Sequence, residues 1–270
     1  MRIEKAIKPL ILRHTMCMKK LFLFLILGFV VAKSSLAQRN VKDSAIATPW
    51  IALHYGLNAT DGDLKDRFGA LNHIGAMAGY KTTRNWVYGF DGNFIFGPTV
   101  KEPNLFARLV DSYGNITDES GEVGLVVVSA RGFNVNTMVG KVIPIFSPNN
   151  NSGLYIHGGV GYVQYRYRID SQDQVIPSVE LKYRKGYDRY TTGLSFHQFL
   201  GYAFMSNQGI VNFYGGFYIN EGLTHNRREV FYDQPDVPVS TAQRLDLQYG
   251  FKLGWFIPIY QRKAKDYYFD

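Results

Sequence analysis

Ser195 and His197 lie two residues apart in the stretch Thr191–Met205. On an extended chain that spacing puts both side chains on one face, the minimum geometry for a hydroxyl activated by an imidazole. Such a pair would serve nucleophilic acyl chemistry, yet no acidic residue is held beside it by spacing to orient the ring. Ser195 and His197 therefore enter as catalytic candidates without a third member. A metal centre finds less support, because the six histidines include no i, i+4 pair and no His-x-His pair. There is also no phosphate-binding Gly-rich loop, no GxGxxG at a strand-to-helix junction and no nucleophile elbow, so no cofactor is implied.

A second set of polar residues shares a pattern rather than a motif. Asp91, Asn93, His157, His197, Asn212, Asp246 and Lys252 alternate with large apolar neighbours and fall on the glycine-bearing face of their segments. If those segments are strands, the seven side chains point together into a narrow interior. Ions taken out of water there must pair with one another as a buried polar network.

What positions these residues is a period-two pattern, clearest in Leu245–Ile259. Leu245, Leu247, Tyr249, Phe251, Leu253, Trp255, Ile257 and Ile259 fall on one face, and Asp246, Gln248, Gly250, Lys252, Gly254, Phe256 and Pro258 on the other. In a small soluble barrel the bulky face would crowd a narrow core while glycines faced solvent. With the faces reversed, bulky residues meet hydrocarbon, and the small and polar ones fit the tight interior. Eight such segments can be counted: 50–58, 73–81, 86–96, a poorly alternating fourth within 123–145, 154–169, 191–205, 210–222 and 245–259. Their connections run long, short, long, short, long, short, long, as in a membrane barrel whose tight turns share one side. The clearest turn signals are 82–85, Ser147–Gly153 (S-P-N-N-N-S-G) and Ser206–Gly209. Asn104–Asp111 reads as a helical turn inside the long connection 97–120.

Composition agrees with strands rather than helices. Of 270 residues 15% are aromatic, with 27 Gly, 19 Tyr and 19 Phe, and no segment beyond residue 37 has the roughly 18 consecutive apolar residues of a spanning helix. Met18-Lys19-Lys20, the apolar run Leu21–Ala32 and Ser35-Leu36-Ala37 read as a secretory signal that starts at Met18 and is cleaved after Ala37. Residues 1–17 read as an upstream extension. Residues 1–37 hold seven of the 30 Lys and Arg and one of the 22 Asp and Glu, so they supply +6 of the formal +8 and leave +2. The basic balance belongs to the leader and offers no argument for nucleic acid. Cys17, the only cysteine, also precedes the apolar run, so the mature chain has no disulfide, thiol nucleophile or thiolate metal site.

Lys185-Gly186-Tyr187-Asp188-Arg189, Gly201-Tyr202, Asn212–Phe217 (N-F-Y-G-G-F), Arg227-Arg228, Arg244-Leu245-Asp246 and Trp255–Tyr260 make the chain resemble the small eight-stranded outer-membrane barrels, the porin-family or outer-membrane-protein barrels. The likeness covers the chain after its leader. It implies an all-β fold, an eight-stranded antiparallel transmembrane barrel over 50–260, flanked by a periplasmic segment 38–49 and a periplasmic tail 261–270. It also implies residence in the bacterial outer membrane with both termini in the periplasm. The tail Gln261–Asp270 departs from the family, whose members often end on an aromatic residue of the last strand.

In that frame Arg184, Lys185, Arg189, Arg227 and Arg228 lie in two long outer loops, where clustered cations could hold lipopolysaccharide phosphates through charge-assisted hydrogen bonds. The competing reading is solvated loop charge paired internally with Asp188 and Glu229. Eight strands leave an interior filled by side chains rather than an open pore. The expected function is therefore structural or that of an accessory subunit, as in a secretion or outer-membrane assembly complex, in contact with outer-membrane lipid and lipopolysaccharide. The alternatives are a lipid A-modifying hydrolase using Ser195 and His197, and a narrow porin-like channel.

Overall fold

Alternation of large apolar and small or polar residues becomes, in three dimensions, a closed wall of strands. The computed structural model describes residues 44–172, 174–206 and 211–259. Its strands are β1 (Thr48–Gly62), β2 (Leu71–Lys81), β3 (Trp86–Gly97), β4 (Ile116–Thr117), β5 (Val123–Gly124), β6 (Val127–Ile143), β7 (Gly153–Asp170), β8 (Thr191–Met205), β9 (Asn212–Asn226) and β10 (Arg244–Pro258). Eight of them close a barrel in the order β1-β2-β3-β6-β7-β8-β9-β10, every neighbour antiparallel, and β4 and β5 pair only with each other.

Register fixes the shape of the wall. The partners Ala52, Met77, Asp91, Asn136, Gly161, Ser195, Gly222 and Asp246 lead once round the barrel and return to β1 at Gly62, ten residues nearer the long loops than the start. A climb of that size over eight strands corresponds to a strand tilt of about 35–45°.

The faces are sorted as a bilayer demands. Phe90 is 61% exposed and Leu253 56%, whereas their neighbours in sequence, Asp91 and Lys252, are 1% and 2% exposed. Tyr249, Phe251, Leu253 and Trp255 of β10 likewise point out of the barrel. A predominantly apolar exterior around a charged interior is the arrangement of a transmembrane β-barrel, not of a soluble one.

The interior is not hydrophilic throughout, which corrects the expectation from pattern alone. At the short-turn end Trp50, Met138, Tyr155, Phe199, Tyr214 and Phe256 pack into a buried plug. Trp50 meets Phe256 edge-on at 5.1 Å between ring centres, and Tyr214 lies 4.7 Å from Phe256. Room for these rings comes from glycine: the ring of Tyr214 occupies the space that a Cβ on Gly254 would need.

Asparagines lock the same end. Asn85, at φ 62, closes the turn between β2 and β3, and its Nδ2 donates to the Asn150 carbonyl at 2.8 Å. Asn151 Oδ1 accepts from the Ile46 amide at 2.8 Å and from Lys81 Nζ at 2.7 Å, while its Nδ2 donates to the Ser44 carbonyl. The segment before β1 is thereby tied to the turn between β6 and β7.

At the other end the loops fold into a cap with its own core, including Leu64, Phe68, Leu105, Ile176, Val179 and Tyr187. β6 and β7, at 17 and 18 residues, exceed the roughly 9–11 that cross a bilayer and carry their upper ends into this cap. Four local expectations change. β1 runs on to Gly62 because Thr60 and Asp61 pair with β10. The fourth barrel strand is Val127–Ile143, and Val123–Gly124 leaves it to pair with Ile116–Thr117 inside the long connection. Residues 102–109 make successive turns rather than a helix, and one helical turn forms instead at Leu181–Arg184. The leader with its cleavage site, residues 38–43 and the tail from Tyr260 onward lie outside the described residues.

Candidate functional site

Inward-facing positions of β1, β3, β6 and β10 converge above the aromatic plug. Lys252 Nζ lies 2.8 Å from Asp91 Oδ2 across the lumen, and both side chains are buried. Asp91 Oδ1 accepts from Asn93 Nδ2 at 2.8 Å and stands 3.4 Å from His54 Nε2, which in turn is 2.6 Å from Asn93 Oδ1. Asn93 Nδ2 also reaches Asn134 Oδ1 at 2.8 Å. The Lys252 ammonium sits 4.7 Å from the centre of the Tyr218 ring, so its charge meets both a carboxylate and a π face.

Two satellites adjoin this layer. His157 Nδ1 and His197 Nε2 are 3.0 Å apart, with the Phe199 ring stacked on His157 at 4.7 Å and 14°. Tyr218 Oη lies 3.1 Å from His73 Nδ1. Nearer the loops, Arg67 donates to Asp246 Oδ1 at 2.6 Å and to Thr191 Oγ1 at 3.1 Å, while Thr224 Oγ1 donates to Asp246 Oδ2 at 2.6 Å. Gln248 Nε2 donates to the Tyr165 hydroxyl in the same tier. Apart from the Asp91–Asn93 bond within β3 and the ties that bring the Arg67 loop onto β8 and β10, these contacts join strands that are not neighbours or brace neighbours from within, so the chemistry on offer is charge neutralisation and bracing of the wall.

The residues singled out by pattern thus separate into different places. Asp91, Asn93 and Lys252 come together, His157 and His197 form their own pair, and Asp246 belongs to a higher tier with Arg67. Asn212 lies at the short-turn end, where its Oδ1 accepts from the Ser206 amide at 2.9 Å, far from the ionic layer along β9. His54, His73, Asn134 and Arg67 were not singled out. For His54 and His73 the signal was available, since they occupy inward positions by simple alternation; Asn134 lies in the poorly alternating fourth segment, and Arg67, in a loop, offered none.

Ser195 and His197 do share a face, and that face is the lumen: they are 1% and 2% exposed. The His197 ring is engaged by His157, and no hydrogen bond joins it to Ser195 among the described residues.

The loop cations divide as well. Arg189 binds Asp233 with both terminal nitrogens, at 2.8 and 2.6 Å, and stacks 4.0 Å over Phe231. Arg228 grips Asp188 in the same two-pronged way at 2.8 and 2.5 Å. Hydrogen bonds to Asp188 hold the Arg228 guanidinium above its ordinary pKa. Burial works against charge on Arg189, but the bonds to Asp233 and the nearby Glu102 outweigh it and raise its pKa too. Both forks are engaged by carboxylates inside the cap. Arg184 Nε donates to the Val179 carbonyl and Arg227 Nε to Thr192 Oγ1. Lys185 and Arg227 remain exposed. Asp188 is thus the internal partner expected of it, whereas Glu229 makes no ion pair among the described residues, its expected place being taken by Asp233.

No protein-family model matches the chain, and no curated protein matches it. Similar solved structures include neisserial surface protein A, 9% identical over 79% of this chain and 99% of that one, with a TM-score of 0.42. Ail, the attachment invasion locus protein of Yersinia pestis, solved with the heparin analogue sucrose octasulfate, is 11% identical over 78% and 98%, at 0.37. The outer membrane protein OprG of Pseudomonas aeruginosa is 10% identical over 81% and 99%, at 0.37. With scores this low, the reading of the site rests on this chain's own residues.

Proposed function

We propose that the chain is a non-enzymatic integral protein of the bacterial outer membrane, with both termini in the periplasm, serving as a structural or accessory subunit. One specific version is an accessory barrel of a secretion or outer-membrane assembly complex. The observation that carries the reading is the way the lumen is filled: an aromatic plug at one end, a cross-braced ionic layer above it and a folded cap over the mouth. A barrel filled in this way has its outer wall and its loops left to work with. In the same reading Lys185 and Arg227 offer the cap's exposed positive charge to lipopolysaccharide phosphates.

Burial of Ser195 and His197 inside the lumen weighs against a lipid hydrolase, because an acyl substrate would have to enter past the cap or the plug. The filled lumen weighs in the same way against a channel. Crosslinking in the native envelope followed by mass spectrometry tests the proposal: a recurrent large envelope protein is the expected product. Recovery of the chain from the soluble periplasm would contradict it.

A further inference from the structure

One wall of the barrel differs from the rest of the outer surface. On β10, β1, β2 and β3 the outward side chains between the rims are all apolar or aromatic, with a gap on β3 where Gly92 stands between Phe90 and Phe94. On β6 to β9 the wall is dented. Gly158 places no side chain between Ile156 and Val160, and a groove of about 740 Å³ opens there, walled by Val139, Ile156, Leu200, Phe217 and Ile219.

Two further features stand beside this groove. Gln198 points outward from β8 between Phe196 and Leu200 and has no hydrogen-bond partner among the described residues. It lies midway along β8, so its amide faces acyl chains. Phe217 is 72% exposed, more than any other large hydrophobic on a barrel strand.

An unpartnered amide in hydrocarbon is costly, because lipid tails offer neither donor nor acceptor. The amide carries both, so two copies related by a two-fold axis can satisfy one another across an interface. We propose that the β6–β9 wall is a homodimer interface within the membrane, in which Gln198 of two copies pair and Phe217 of each copy enters the groove over Gly158 of the other. The proposal rests on the reading of the chain as a membrane barrel.

Depth is the test that geometry itself supplies. A two-fold axis along the membrane normal brings β9 of one copy opposite β7 of the other at equal height. Gly158, Gln198 and Ile219 are register partners, and at a tilt of about 40° each step to the next strand climbs about 3 Å, which puts Ile219 about 6 Å above Gly158. Phe217, two residues back along β9, comes down again by about 5 Å. Knob and groove therefore share a depth on opposite sides of Gln198. Glu221, two residues beyond Ile219 on the same outward face of β9, lies about 8 Å above Gln198, toward the loop-side rim.

The full chain, folded in detergent and in liposomes, is the object to test. Sedimentation of the wild type is expected to give a dimer, with Phe217→Ala weakening association about fivefold or more while the heat-modifiable gel mobility of a folded barrel is kept. No cysteine follows Cys17, so Gln198→Cys is expected to give a disulfide-linked dimer on oxidation in the membrane, and Phe90→Cys, on the opposite wall, none. A heat-modifiable wild type that sediments as a monomer would overturn the pairing and leave the barrel reading standing. So would a Gln198→Cys chain that stays single or links to a different protein. A chain without heat-modifiable mobility would overturn the barrel reading and the pairing with it.

Discussion

Asp91 and Lys252 show how a charge is kept inside a membrane barrel. Each is almost wholly buried, and neither is tolerable there without the other. Replacing Asp91 by Asn should leave the Lys252 ammonium unpaired and cost about 3–5 kcal/mol of folding stability, the usual range for a broken buried pair. Adding Lys252→Met to that variant should recover most of the loss. Urea unfolding in detergent reads both, and a double variant no better than the single would contradict the pairing. Ser195→Ala with His197→Ala should leave lipid A unchanged by mass spectrometry, because both side chains face the lumen. At this scale the inward residues were legible, since alternation assigns a face without any knowledge of neighbours. Their partners were not: Asp91 and Lys252 are 161 positions apart, and only closure of the wall brings them together.

Turns and ladders set the next level. Asn151 ties residues 44–46 to the β6–β7 turn through hydrogen bonds to Ile46 and Ser44, and accepts another from Lys81 at the end of β2. Asn151→Ala should release that segment, seen as faster proteolytic clipping before β1 with the barrel band intact on a gel. Gly159 is a second lever. A Cβ there would overlap the Thr137 carbonyl on the neighbouring strand, so Gly159→Val should part β6 from β7 and abolish the heat-modifiable form. The motif S-P-N-N-N-S-G announced a turn, and its glycine takes a positive φ of 139° at Gly153 as such a position requires. What the asparagines bind was invisible, because their partners come from the segment before β1, from Lys81 of β2 and, for Asn149 Nδ2, from the Met205 carbonyl of β8. The β4–β5 ladder was equally hidden: two residues a side carry no period, and Gly124 packs against Ile176 from another loop.

For the whole molecule the decisive fact is a lumen filled from both ends. Discrete conductance in planar bilayers should be absent for the wild-type chain, and steady single-channel openings would contradict the plug. Detergent-extracted protein should migrate differently before and after boiling, as a folded barrel does. The plug itself had a trace in sequence, in the inward placement of Phe256 among glycines. Its size did not follow, because Trp50, Tyr155, Phe199 and Tyr214 arrive from four other strands and meet only after a stagger of ten residues round the wall.

Alternation with period two, glycine on the polar face and spaced turn signals were enough by themselves to specify eight strands, their order and which side meets lipid. Those are local properties, fixed by where each side chain points on an extended backbone. Partner choice, the apolar floor, the folding of Arg189 and Arg228 back onto the cap and the dented β6–β9 wall were decided only in three dimensions. The two arginine forks depend on loops meeting over the mouth, and the other three on register between strands, which is set by the closure of the barrel as a whole rather than by any one segment.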